Sequence, residues 1–458
     1  MTQVAVPQRV ADIAEEFRDA APGHRFNLYF PIWTQSWSAD PKGKTSALER
    51  TTRIPSNVRD LVKRLRERQR ALATPEAHLS VPAKSESPFA TGLGNEHPVE
   101  NGFAFLTPYG LPYLAGSGVK GVLRRAAEEL ALYPEDYRSG DAAVAQDFTL
   151  LDVWWLFGFE GASGAWWPLT TKEEKQLTPE QKEGHARWEA RFKTHCQGLT
   201  DRPDLSDFIK RALPNPKEAA RYLDESTKFL ANLDSLRSSI HTLGALNVWD
   251  VFPDPKGGRL AVEIMTPHYT DYYQGKGTPH DAGQPNPIPF LVVPAGSDFE
   301  FHVICQVERL PQPIRDRWEQ LVSAVFEHAF EWLGFGAKTA VGYGQMVEDV
   351  AAREERLAEQ QRVREEAERE RRLAQLSPME RSIAEALAEK VDRGLSEGVY
   401  LVQLLEAGRW QGDEGRAVAA IVRDRLKDEK KWKEATKKPD KDKDYKRTQT
   451  ILKILSGK

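Results

Sequence analysis

Apolar residues recur at helical spacing in two places. In VRDLVKRLRERQRAL, Val58, Leu61, Val62, Leu65 and Leu72 form one stripe, and Arg59, Lys63, Arg64, Arg66, Arg68 and Arg70 crowd the remaining surface. That pattern predicts a basic amphipathic helix. In SGVKGVLRRAAEELAL, Val119, Val122, Leu123, Ala126, Ala127 and Leu130 make the stripe of a second helix, beginning at Ser117. Period-two or continuous apolar runs predict strands at Ala245–Phe252, Leu260–Met265, Ile288–Val293 and Phe299–Val307. The aromatic run Phe26–Trp37 reads as a strand broken at Pro31. A helix over Ile314–Leu333 leads into a glycine-rich segment, Gly334–Gly344. Between Asp147 and Trp167 the chain is apolar and glycine-punctuated; its pairs Trp154–Trp155 and Trp166–Trp167 suit a core or a subunit interface better than a base-stacking platform.

Elsewhere the pattern is polar. Residues 1–25 are an irregular or helical lead-in, and Thr170–Ser238 is charged with helical periodicity, as expected of an inserted helical subdomain at about 170–240. After Val350 the composition shifts: 351–376 is polar on nearly every face, with Glu365–Arg369 and Glu368–Arg372 at i,i+4 spacing, the signature of a charged linker helix. Residues 377–458 regain enough Leu, Ile, Val and Trp for a small helical module. Its end is dense in lysine, with Trp432 and Tyr445 interleaved; such a run fits either a solvated face or a phosphate backbone.

Length and charge narrow the function. A chain of 458 residues exceeds one core and predicts two or three domains. The net charge of −4 supplies no global field toward nucleic acid, so any RNA contact must come from local patches. Cys196 and Cys305 lie far apart without metal-ligand spacing, which fits a reducing compartment. With no apolar run of membrane-spanning length and an acidic start, the expected location is the cytoplasm, away from membranes.

Two segments carry candidate chemistry. LPYLAGSGVKGVLR (111–124) reads as strand, small-residue turn and helix. Ser117 is placed to cap the helix, and the helix start at Gly116, Ser117 and Gly118 offers N–H groups to an anion. Lys120 and Arg124, four residues apart, share a face expected to be solvated. An ordinary capped helix with solvated cations fits the same residues, and the spacing of a P-loop is missing. GFGAKTAVGYGQM (334–346) places two GxG pairs around Lys338 and Thr339; glycines such as Gly336 allow close backbone approach to a phosphodiester. Thr339 occupies the third glycine's position of a dinucleotide fingerprint, so that reading fails, and a glycine-rich hairpin remains the plain alternative.

Taken together, the two segments resemble the RAMP superfamily pattern of a basic strand-to-helix motif followed by a C-terminal glycine-rich loop. GLGNEHPVENGFAF (92–105), WWLFGFEGASGA (154–165) and IMTPHYTDYYQGKG…NPIPFLVVPAGSDFEF (264–301) are similar to the sixth-subunit branch of the Cmr, or type III-B CRISPR, effector complexes. The resemblance spans about 26–350; Ala115 stands where the family often has Pro, and Gly118 where a hydroxyl residue is common. It implies an α+β fold: a ferredoxin-like, RRM-like core with large insertions, making 1–350 the guide-RNA-binding domain. It implies a non-catalytic subunit near the 3′ part of the guide that needs no cofactor. Its partners would be CRISPR guide RNA, target RNA and other Cmr subunits, backbone and small. Guide contacts would fall on Ser117–Lys120 with Arg124, and on Gly336–Thr339.

Two alternatives stay open: a guide-processing endoribonuclease of the same superfamily, and a protein–protein adaptor that never touches RNA. For catalysis, His97, His268 and His280 sit in loops beside Glu96, Asp271 and Asp281, although such groups more often form turns or surface contacts. Their spacing matches no zinc site. Tyr269, Tyr272 and Tyr273 can stack on bases or anchor their Pro/Gly-rich loop, His268–Pro287, against protein.

Overall fold

The alternation in DFEFHVIC forms the middle of a four-stranded sheet. In the computed structural model the described residues are 2–11, 14–72, 77–134, 148–160, 171–213, 215–223, 225–236, 240–266, 287–392 and 394–457. The sheet consists of β1 (His78–Ser85), β2 (Leu246–Val248), β3 (Asp298–Cys305) and β4 (Met346–Glu348), in the spatial order β4-β1-β3-β2. Every neighbouring pair is antiparallel; in the central pair His78 faces Ile304 and Lys84 faces Asp298.

Four helices frame this sheet. The basic stretch forms α1 (Ser56–Leu72), ahead of β1. The helix α2 (Gly116–Leu132) lies between β1 and β2 in the chain. Further on, α3 (Leu150–Phe157) starts on a reciprocal capping box between Thr149 and Asp152. The last of the framing helices, α4 (Trp318–His328), lies between β3 and β4. Its predicted span breaks up: Gln312–Arg315 forms a separate turn and Ala329–Leu333 closes as a π-turn. The chain order of the sheet and its two linking helices is thus β-α-β-β-α-β.

One face of the sheet presents Leu79, Val81, Ala83, Phe299, Phe301, Val303 and Cys305 to the buried sides of α2 and α4, in one continuous core. All six residues of the α2 stripe pack into it, Val122 as a half-buried member. Trp154 is buried against Phe159 and Phe208, and so joins the helices of 171–236 to that core. The paired tryptophans 154 and 155 are core residues, whereas Trp166 and Trp167 lie outside the described residues, as does the loop from His268 to residue 286.

The expected strand at Phe26–Trp37 is absent. Pro22–Asn27 is a helix with Pro at its first turn, where the missing N–H costs nothing. The rest is irregular, and Trp33 forms only isolated bridges to Gln3 and Ala39. Burial of Phe26, Phe30 and Ile32 accounts for the aromatic run that imitated a strand.

The chain divides into two compact units, Met1–Leu357 and Ala358–Lys458, within the long polar helix α5 (Val350–Gln375). The second unit contains α6 (Pro378–Ala388), α7 (Glu397–Glu406), α8 (Gly412–Asp428) and α9 (Lys443–Ser456). Its own core gathers Ile383, Val402, Trp410, Val418, Val422, Leu426 and Ile451. No helix of the described residues is long and apolar enough to cross a membrane.

Candidate nucleic-acid interface

The start of α2 is built differently from its sequence reading. The N-cap is Ala115, without a side-chain cap, and Ser117 sits inside the helix, exposed. An acceptor arrives from elsewhere in the chain: Asp250 Oδ1 takes the Gly116 N–H at 2.7 Å. A carboxylate therefore already occupies part of the helix end that was expected to hold a phosphate. Gly116 is required, because a Cβ there would run into the backbone of Val248 and Trp249. Gly118 is not: the nearest atom to its Cβ would be Leu114 Cδ1 at 3.8 Å.

Lys120 and Arg124 do not lie on a solvated face. Lys120 Nζ donates to the Leu246 carbonyl at 2.8 Å, tying the helix to the edge strand β2. Arg124 Nε donates to Glu128 at 3.0 Å, with its side chain only 15% exposed. The pair was read from i,i+4 spacing alone, which gives a shared face but not that face's neighbours. Burial raises the Glu128 carboxyl above its ordinary range, although Arg124 opposes the shift.

The glycine-rich loop leads into the opposite edge strand, β4. Gly334, Gly336, Gly342 and Gly344 all have positive φ. At Gly336 a Cβ would meet the Ala90 carbonyl, and at Gly344 the Phe335 carbonyl, so these two positions admit only glycine. The loop is a short helical turn, Thr339–Val341, rather than a hairpin, and it is held from within. Ala337 N–H donates to Ala90, Gly344 N–H to Pro88 and Phe335 N–H to Gly344. These N–H groups are not available to an anion, which corrects the expected concavity in part. Lys338 adopts the left-handed conformation at φ 62. Its Nζ lies 3.0 Å from Met265 Sδ and 5.8 Å from the centre of the Phe290 ring. Gly336 is exposed and Thr339 half-buried. The two predicted segments thus rest on opposite edges of one sheet.

A further charged cluster lies outside the two predicted segments. Opposite α2 and α4, the sheet presents His78, Ser80, Glu300 and His302, all buried. Helix α1 lies across them. Arg70 Nε reaches both Glu300 oxygens at 3.0 and 3.1 Å, Arg66 stands at 3.6 Å and Arg356 at 3.5 Å. Ser80 donates to the same carboxylate at 3.2 Å. Burial pushes the Glu300 carboxyl up, but the Arg70 hydrogen bonds, His302 and Arg66 outweigh it and hold it at about 2. His78 and His302 share a 2.9 Å hydrogen bond, and burial lowers each to about 4, so the pair is neutral. Beside this cluster a cleft of about 980 Å³ is lined by Arg59, Lys63, Lys84 and Lys256 along with Asp60, Asp254 and Asp298. The i,i+4 pair Arg66–Arg70 and the single Glu in an aromatic strand were the available signals; their meeting, 230 residues apart, was not.

Of the acid–base candidates, His97 is a packing group. It stacks on Phe26 with ring centres 3.7 Å apart, its Nε2 is 3.1 Å from the Phe26 carbonyl, and burial lowers its pKa. His268, His280, Asp271, Asp281 and Tyr269, Tyr272 and Tyr273 lie outside the described residues. Both cysteines are free and buried, with thiols pushed up to about 12.

An antiparallel sheet backed by two helices, with a glycine-built loop before its last strand, defines a mixed helix–sheet domain. The chain belongs to the RAMP superfamily, whose family model matches residues 83–347, more than half of its length. It is similar to the CRISPR system Cmr subunit Cmr6 of Pyrococcus furiosus, 23% identical over 309 residues, covering 67% of this chain and 78% of that protein. Among solved structures it is similar to the crystal structure of Cmr6 from Pyrococcus furiosus, at 22% identity and TM-score 0.26, covering 59% of this chain and 97% of that one. A cryo-EM structure of the type III-B Cmr-beta complex bound to cognate target RNA contains a chain 13% identical, with TM-score 0.32, covering 67% and 70%. At these scores the structural likenesses add nothing to the family match.

Proposed function

We propose that the chain is a non-catalytic CRISPR-RNA-binding and assembly subunit of a type III-B (Cmr) RNA-targeting antiviral effector complex, acting in the cytoplasm near the 3′ end of the guide. The observation that carries this reading is the family match over residues 83–347, together with a relative named as a Cmr subunit. The β-α-β-β-α-β order with strands arranged fourth, first, third, second supports a ferredoxin-like, RRM-like core. On that core the helices of 171–236 are an insertion, 351–376 is a spacer and 377–458 an appended module. The packing of His97 against Phe26 removes one of the acid–base candidates on which the cleaving alternative rested. Other Cmr subunits, guide RNA and target RNA are its partners in this reading.

The guide contacts we assign are Gly116, Ser117, Gly118, Lys120 and Arg124 at the start of α2, and Gly336, Lys338 and Thr339 in the loop. Lys120 and Arg124 would each exchange an internal partner for a phosphate. The test replaces Lys120 and Lys338 by Gln and follows guide RNA binding across a salt series. Two lost single-strand phosphate contacts flatten the log–log slope by about 1.4. An unchanged slope with native circular dichroism would put the guide elsewhere. Incubating the purified chain with repeat RNA checks the second half: site-specific cleavage would favour the endoribonuclease.

A further inference from the structure

The second unit sorts its charges by sign. Between Lys427 and Arg447 there are ten Lys and Arg residues against six Asp and Glu. Eight of the lysines are exposed, whereas only Asp428, Glu434 and Asp440 among the acids are. The other three acids serve the fold. Glu429 accepts the Ser396 hydroxyl at 2.6 Å and the Gly398 N–H at 2.8 Å, holding the start of α7. Asp442 caps α9, accepting the N–H groups of Asp444 and Tyr445 at 3.1 and 3.2 Å, and also takes the Thr436 hydroxyl. Asp444 pairs with Arg447 at 2.9 Å. Half of the carboxylates are thus engaged by the fold, Asp442 also pairing with Lys433 at 3.0 Å, whereas eight of the nine lysines stand exposed, so the exposed charge is more basic than the sequence balance indicates.

The segment is also anchored. The Lys433 N–H donates to Thr448 Oγ1 at 2.9 Å and the Lys431 N–H to the Leu426 carbonyl at 2.8 Å. Trp432 packs on the core of the unit, with Lys427 5.7 Å from its ring centre. Lys437, Lys438, Lys441 and Lys443 are therefore held out on a built loop.

We propose that this loop is an RNA-contacting surface of its own, taking the phosphate backbone of single-stranded RNA without reading its sequence. Lysine is a flexible point charge, suited to phosphates and ill suited to bidentate recognition. Lysine is also depleted at protein interfaces, which are organised around buried aromatic or aliphatic anchors. Among the described residues from 427 to 447 no large apolar side chain stands exposed. An RNA strand fits this surface better than an acidic protein does.

The experiment uses the full chain and a labelled oligouridine, followed by fluorescence polarisation between about 50 and about 200 mM salt. Lys437→Gln, Lys438→Gln, Lys441→Gln and Lys443→Gln are combined. Loss of four single-strand contacts flattens the salt slope by about 2.8, so the affinity advantage of low over high salt shrinks about 50-fold. Arginine at the same four positions restores the slope. A slope unchanged by the glutamines, or one that arginine fails to restore, overturns the proposal. So does displacement of the RNA by poly-glutamate at matched charge, which would assign the surface to acidic polymers in general. The Lys120→Gln, Lys338→Gln variant reports the first unit separately. A response in one variant without the other therefore shows which of the two readings has failed.

Discussion

The two faces of the four-stranded sheet are both buried, yet they are buried by opposite chemistry. Toward α2 and α4 the sheet offers Phe299, Phe301 and Val303 to Leu, Val and Phe side chains. Toward α1 it offers His78, Ser80, Glu300 and His302 to arginines. The first face gains stability from apolar area and close packing, and tolerates loss of shape poorly. The second rests on paired polar groups, although Arg66 Nε and His302 Nε2 are buried without a hydrogen-bond partner among the described residues: its charges cost desolvation, which the Arg70 fork, Ser80 and the nearby guanidinium groups offset. The contrast bears on function, because the face that an RRM-like core would leave open is covered in this chain. In the reading proposed above, RNA would approach at loops and helix ends rather than across that face.

The largest effect expected of this comparison is at Phe301. It is fully buried, with ring centres 5.4 Å from Phe326, 5.8 Å from Phe330 and 4.9 Å from Phe335. Phe301→Ala removes the ring from the centre of this cluster and leaves a cavity that its aromatic neighbours cannot fill. The cost should be about 3–5 kcal/mol, read from urea denaturation. A loss below about 1 kcal/mol would mean that the apolar face is loosely packed.

Acid should weaken the other face. His78 and His302 titrate in the folded protein at about 4, well below the ordinary value near 6.5. The unfolded chain therefore takes up protons first, and stability present above about pH 6.5 is lost as pH falls through the folded value. Glu300, held at about 2, has the same sign but a lower window, below its ordinary value. His195 is also lowered to about 4 by burial, so part of the acid sensitivity belongs to the helical run of 171–236. The urea midpoint should drop from pH 7 to pH 5, and drop less in a His78→Gln, His302→Gln variant. An equal drop in both would show that the paired imidazoles are not buried neutral.

The apolar face was legible in the sequence and the polar one was not. The α2 stripe was read from its 3.6-residue period and packs as read, because periodicity reports which side of a helix is dry. Of the four strands predicted between 245 and 307, two are β2 and β3 of this sheet and two pair with each other as Ala261–Met265 and Ile288–Val292, whereas β1 and β4 were not among the predicted strands. What periodicity cannot report is a partner far along the chain. Asp250, which takes the place of the expected cap at α2, is 134 residues from Gly116, and the Leu246 carbonyl is 126 residues from Lys120. The Arg124–Glu128 pair, by contrast, is an i,i+4 neighbour that spacing alone could have found. The glycines of 334–344 announced a loop, while the Ala90 and Phe335 carbonyls that make two of them obligatory emerge only from the fold.

The smallest effect should come at the rim of the polar face, and it tests whether the rim shares the character of the centre. Lys84 Nζ lies 3.5 Å from Asp298 and 3.7 Å from Asp349, with half of its side chain exposed. Both carboxylates can return to water when the lysine is removed, so no charge is stranded, unlike Glu300 without its arginines. Exposed pairs of this kind are worth about 0–1 kcal/mol, and Lys84→Ala should stay within that range. Whatever difference exists should also vanish in about 1 M salt, where the screening length falls to about 3 Å, comparable with these separations. A cost above about 2 kcal/mol that survives high salt would place Lys84 in the same desolvated network as Arg66 and Arg70. The polar face would then extend to the edge of the cleft, and the distinction between its centre and its rim would be lost.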